Sequence, residues 1–334
     1  MLAWCLGIFL AGQALLSPVF DYLLPEYRFP WFYRIIEHAS RAKDTEAILC
    51  LGSSRFGTGL FAGEMTSQLR TATGSEHVLI INAGVPGGDY ITSEKMLNSL
   101  LAQGVKPRLV LLEFCPELLN HTIGWLNLHT VRTLCWHDLK EFGSDLSTMQ
   151  HLQRFVACRL FPLVQYRNFI RTRLQDRFLS KDTTLRSPQE TLLAATDHHW
   201  IVELEQPAWP MERQMSELAG HFVKYEIGGQ PVACLTRMLR RCKSEQIEVV
   251  LIEPPVTEAH QAFYTPVIEQ QYEDYYQQLR TEYGTSRFRY RNAVPEEEFY
   301  DHHHCNRSGA HRWGQMVVQD VLAPSWIELT NQYR

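Results

Sequence analysis

Four short runs dominate the sequence: AILCLGSS (47–54), VLIINAG (78–84), RLVLLEF (108–114) and EVVLIEPP (248–255). Each is almost continuously apolar, rich in Val, Ile and Leu, and stops at small or turn-forming residues. A strand that is apolar on both sides must be covered on both sides, which is the situation of a parallel sheet buried between helices. Helical patterns lie between the runs, in FAGEMTSQLR and ITSEKMLNSLLAQ. Strand and helix in alternation predict parallel strands joined by right-handed crossovers. The fold class is therefore α/β, a doubly wound parallel sheet in a three-layer, flavodoxin-like sandwich. A fifth strand over 287–293 (RFRYRNA) and a closing helix from about His311 to Leu322 complete it.

Residues 115–247 separate the third and fourth runs, too long a stretch for a crossover without structure of its own. The helical pattern LSTMQHLQRFVACRLFPLVQYRNFIRTRLQDRF fills its first half, and DHHWIVELEQPAWP is irregular. We assign 46–119 and 246–325 to the α/β domain and 120–245 to an inserted, mostly helical cap over the sheet edge where open α/β sheets bind ligands.

The first 20 residues carry no charged side chain, with only Gln13 and Ser17 as polar interruptions. That is one membrane span. Neither a basic leader nor a small-x-small cleavage site is evident, so residues 1–24 read as an uncleaved membrane anchor and 25–45 as a stalk. A buried N-terminal helix is the alternative. An anchor suggests an extracytoplasmic α/β domain, whereas Arg28, Arg34, Arg41 and Lys43 would hold the following segment in the cytoplasm; topology stays open. A net charge of -5 argues against a nucleic-acid partner, which calls for clustered positive charge. The Cys 8 count comes without C-x-x-C spacing. Cys50 and Cys115 sit in apolar strand patterns and read as small buried hydrophobes, so neither a zinc ribbon nor a disulfide framework is expected.

Chemistry-bearing residues gather in three loops. L-G-S-S-R-F-G follows the first strand and puts Ser54 at the start of a helix, where backbone N–H groups can stabilise an oxyanion. N-A-G-V-P-G-G follows the second and can approach a ligand closely. F-Y-D-H-H-H-C-N-R-S-G-A precedes the last helix. Together, in this order, the loops resemble those of the SGNH (GDSL-like) hydrolase superfamily over about Ile48 to Val318, the inserted cap excepted. The resemblance implies a serine nucleophile at Ser54, oxyanion donors at Ser54 and Gly87, and a D-x-x-H pair at Asp301 and His304. Arg55, Asn82 and Gly88 are candidate substrate contacts.

One departure stands out. After strand three the chain reads E-F-C-P-E-L-L-N, without the family's usual Asn; Glu113, Cys115 and Glu117 stand nearby and Asn120 comes late. Lacking that Asn, the chain looks like membrane-tethered SGNH-like proteins that O-acylate polysaccharides. The implied activity is that of a serine esterase or O-acyltransferase on a small-molecule or polysaccharide acyl ester, with no metal or organic cofactor. The competing reading is a membrane-tethered SGNH-like binder with little or no catalysis.

Blander roles are open for the same residues. Ser54 suits a helix N-cap, and Arg55 suits a salt bridge to Glu113 or Asp89. His302 and His303 read as turn residues, although Asp301, His302, His304 and His311 are chemically permissible zinc ligands. Asp197, His198 and His199 form a second acidic-histidine cluster in the cap. Trp125, Trp136, Trp200 and Trp209 there could face sugar rings or pack in a core.

Overall fold

The computed structural model describes residues 2–25, 28–40, 45–121, 128–146, 149–167 and 210–331. Asp197, His198, His199, Trp125, Trp200 and Trp209 lie outside the described residues. The chain divides into two compact units, one of Met1–Arg34 with Leu126–Thr191, the other of Ile35–Trp125 with Leu192–Arg334.

The larger unit holds the sheet. β1 (Glu46–Leu51), β2 (Val78–Asn82), β3 (Pro107–Glu113), β4 (Glu248–Glu253) and β5 (Ser286–Arg289) are all parallel, in the order β2-β1-β3-β4-β5. The expected α/β architecture is present, with strands where the apolar runs predict them. β5 is shorter than its run because the chain turns after Tyr290, whose carbonyl accepts from Ala293 N at 2.9 Å.

Alternate strand residues serve the two faces. Ile48, Cys50, Ile80, Leu109, Leu111, Val250 and Ile252 form one core with Met65 and Leu69 of the helix Ala62–Thr73 and with Trp313, Val317 and Trp326 of the C-terminal helices. The closing helix runs longer than expected, Arg307–Val317 continuing through the turn Val318–Leu322 into Ala323–Asn331. Against the other face lie helices Tyr90–Ala102, Gly229–Ser244 and Pro266–Tyr283. Gly229–Ser244 falls inside the 120–245 segment assigned to the cap, yet it packs on β4 and on Tyr90–Ala102, where Arg237 makes a bidentate pair with Glu94 (2.7 and 2.7 Å). It is the crossover into β4. Its amphipathic pattern could have been recognised, but the long preceding segment masked it.

In the smaller unit, Leu2–Pro18 is helical and continues as a wider turn to Leu23. Ala3–Leu23 is long and apolar enough to cross a membrane, with mean hydropathy 1.7. Trp4, Leu6, Ile8, Phe9, Leu10 and Leu15 are exposed along it. Asp21, near the end of that segment, is buried with Arg28 and Arg159, the two arginines making ion pairs of 3.4 and 3.2 Å to its Oδ1. Arg28 also donates to the carbonyls of Phe20 and Leu134, each at 2.9 Å, tying segments far apart in sequence.

Candidate active site

The sheet order reverses direction between β1 and β3, and open α/β sheets bind ligands at the carboxyl ends of the strands flanking such a point. Gly52 leaves β1 against Glu113 at the end of β3: a Cβ on Gly52 would run into the Glu113 carboxylate and lie 2.8 Å from its Cβ. Only glycine permits that approach. Ser53 then caps the helix Ser54–Gly59, its hydroxyl accepting from Arg55 N at 3.2 Å. The cap is thus Ser53, which leaves the Ser54 hydroxyl for other partners.

Ser54 Oγ lies 2.7 Å from His304 Nε2, and His304 Nδ1 lies 2.7 Å from Asp301 Oδ2. Asp301 Oδ1 accepts from the backbone N–H groups of His303 (2.9 Å) and His304 (2.8 Å), so one carboxylate shapes the turn and orients the ring. Burial alone would raise the Asp301 pKa; the hydrogen bond and charge of His304, with the two N–H groups, outweigh it and leave the carboxyl below its ordinary value. Tyr300 stacks on the His304 ring at 5.3 Å and 7°. Gly87, the second expected oxyanion donor, has φ +60, a left-handed conformation that glycine adopts without strain.

The candidate substrate contacts are committed elsewhere. Asn82 is fully buried; its amide donates to Phe56 O and Leu60 O, each at 2.7 Å, and its oxygen accepts from Gly84 N at 2.9 Å. It is a clamp between β2 and the helix bearing Ser54. Gly88 N donates to Val85 O at 3.0 Å, and a Cβ there would come 2.7 Å from Gly52 O, so its role is close packing. Arg55 is buried, pairing with Glu113 (2.7 Å) and with Glu117. Asp89 instead caps the helix Tyr90–Ala102, accepting from Thr92 N at 2.8 Å.

Glu113, at the end of β3, turns its carboxylate toward the loop after β1, accepting from Ser53 N at 2.5 Å and Ser53 Oγ at 3.0 Å. Asn120 does not substitute; it bridges His221 O (2.8 Å) and Glu226 N (3.2 Å). From Arg55 the polar network continues through Glu117 to Tyr264 and His260, and on to His302 and His303. Burial would lift the Glu117 pKa, but Arg55 and His260 hold it well below the carboxylate range. Burial, with His260 next, pushes His302 down to about 3, so this ring is neutral at pH 7.

Sequence reading passed over His260 and Tyr264, because nothing in T-E-A-H-Q-A-F-Y marks them apart from a surface helix. His311 stands away from the turn, paired with Glu64 at 2.5 Å and edge-on to Phe61, so it is no partner of Asp301, His302 or His304. Trp136 is half-exposed and packs edge-on against Phe155.

Sheet order, the turn after β1 and the Asp–His turn before the last helix define an SGNH-like α/β fold. Within that class, the chain belongs to the family described as "Protein of unknown function (DUF1574)", whose model matches residues 19–310. No curated protein matches it. Similar solved structures include a lipase/acylhydrolase from Enterococcus faecalis, 12% identical, TM-score 0.38, covering 83% of this chain and 95% of that one. Another is a carbohydrate acetylesterase family member from Sinorhizobium meliloti, 13% identical, TM-score 0.33, covering 83% of this chain and 97% of that one. Likeness of that degree carries no argument about chemistry, which rests on the side chains above.

Proposed function

We propose that this protein is a serine esterase or O-acyltransferase acting on acyl esters, O-acetylated carbohydrate among them, and tethered to a membrane through its N-terminal helix. The observation that carries the reading is the hydrogen-bonded series Ser54–His304–Asp301 at the carboxyl edge of the sheet. With Asp301 accepting from Nδ1–H, the Nε2 lone pair of His304 faces Ser54 and takes its proton as Oγ attacks the ester carbonyl. The backbone N–H groups of Ser54 and Gly87 stabilise the tetrahedral oxyanion. His304 then returns the proton to the departing alkoxide, and water or a sugar hydroxyl, deprotonated by the same ring, resolves the acyl-enzyme. The Glu113 oxygens accept from Ser53 and Arg55, so this side chain offers the oxyanion no donor; a missing donor costs about 10²–10³ in turnover.

Glu113 also favours the second reading, a ligand-binding protein with little catalysis. Fluorophosphonate labelling and p-nitrophenyl acetate turnover separate the two. The enzyme reading expects labelling of the wild type, none of Ser54→Ala, and a loss of about 10⁴-fold or more in Ser54→Ala and His304→Ala. Equal background rates in all three proteins would establish the binder.

A further inference from the structure

Beside the Ser54–His304–Asp301 series, three more imidazoles converge: His260 after β4 and His302 and His303 on the Asp–His turn. The two segments are fastened together, since Thr257 donates to His302 O through both its N–H (3.2 Å) and its hydroxyl (3.0 Å). His260 Nδ1 lies 2.9 Å from His302 Nδ1. His303 Nδ1 lies 2.9 Å from Nδ1 and 2.9 Å from Nε2 of His302. We propose that His260, His302 and His303 bind one divalent transition-metal ion of the zinc class.

Counting hydrogens leads there. Tyr264 spends its hydroxyl hydrogen on Glu117 Oε2 (2.9 Å), so its oxygen accepts from His260 Nε2 (3.1 Å), which also faces Glu117 Oε1 (3.3 Å). The proton of His260 therefore sits on Nε2, and Nδ1 presents a lone pair to His302. If His302 carries its proton on Nε2, two lone pairs meet at His260. If the proton is on Nδ1, that contact is an ordinary hydrogen bond, while His303 Nδ1, equidistant from the two nitrogens of His302, is aligned with neither. A cation accepting lone pairs from all three rings would give each a directed partner.

The geometry asks for little adjustment. Zinc holds imidazole nitrogen at about 2.0–2.1 Å, so two tetrahedral ligands lie about 3.3 Å apart, a few tenths of an ångström wider than the contacts here. The ligand atoms of the three residues all lie within 4.8 Å of one another. A ligating histidine whose other N–H rests on a carboxylate has its tautomer and orientation fixed, which is what Glu117 and Tyr264 do for His260. Glu117 stands behind the cluster, facing His260 and Tyr264, and supplies negative charge next to the rings. Imidazole donors suit zinc, copper, nickel and cobalt over calcium or magnesium. His304 is not part of the set, its two nitrogens being taken by Ser54 and Asp301. The ion would fasten the turn that carries His304.

The test is titration of the chelator-stripped full chain with Co²⁺, following its visible d–d absorption, and competition with Zn²⁺. One ion per chain is expected, with saturable binding lost in His260→Ala and His302→Ala and strongly weakened in the partly exposed His303→Gln. Tyr264→Phe removes only the outer partner and should weaken binding by about 10-fold. Ser54→Ala should bind as the wild type does, so the outcome is independent of the enzyme reading. Absence of a saturable cobalt band in chain shown folded by circular dichroism, or unchanged affinity in His260→Ala and His303→Gln, would overturn the site and leave the rings as a hydrogen-bonded relay.

Discussion

Two of the buried arginines, Arg28 in one unit and Arg55 in the other, serve different ends. Arg28 is directed mostly at main chain, the carbonyls of Phe20, Leu134 and Arg132, with Asp21 as its ion partner. Arg55 is directed at carboxylates, Glu113 and Glu117, and Glu113 in turn grips the backbone and hydroxyl of Ser53. The first is a fastener: its carbonyl contacts join distant segments and touch no reactive group. The second is a support, one residue from the proposed nucleophile. Buried ion pairs are weak evidence of stability for their own sake, so placement distinguishes the two.

Glu113→Ala should have the largest effect on this contrast. It removes one of the two carboxylates that hold Arg55 and releases Ser53, so stability falls by about 3–5 kcal/mol and ester turnover falls by about 100-fold, the cost of a displacement near 1 Å at a reacting group. Urea unfolding and steady-state kinetics would measure the two; unchanged turnover would erase the distinction. Arg28→Met should cost a similar 3–5 kcal/mol in unfolding, because Asp21 loses a partner, while turnover of the folded protein stays within about two-fold. Tyr300→Leu removes the ring stacked on His304; an aromatic pair is worth about 1 kcal/mol, equal to a fall of roughly five-fold in kcat with little change in melting temperature. The smallest effect concerns thiols. Burial pushes Cys50 and Cys242 up to about 12 from an ordinary 9.0. Iodoacetamide at pH 8 should therefore spare Cys50 and Cys242 in the native protein and alkylate them once it is unfolded. For those two, folding stabilises the protonated form, so their contribution is complete below pH 9 and lost as pH rises toward 12.

The sheet was legible because a strand covered on both sides needs apolar residues along its length, and β1 to β4 are apolar through their middles with polar residues only toward the ends. The juxtaposition of Ser54 with Asp301 and His304 was foreshadowed by short motifs, one at the end of β1 and one in the turn before the last helix. His260 and Tyr264 were hidden: a helix of one turn has no period to read, and their partner Glu117 lies 147 residues from Tyr264. Asn82, a candidate substrate contact by position, is a clamp because its amide meets backbone groups of another loop, which no linear pattern reveals. The helix Gly229–Ser244 was misplaced for a related reason. Periodicity announces a helix and its apolar face, but the sheet on which that face rests is decided by topology.

The contact between Ser54 and His304 joins residues 250 apart in sequence. Closing so long a loop costs chain entropy that only the finished sheet can offset. On the ribosome, the proposed nucleophile would be synthesised long before its proposed base, and the nascent chain would carry a serine as unreactive as any other. On the proposed reading the hydroxyl gains reactivity toward esters only when the Asp–His turn docks, so reactivity would report completed folding.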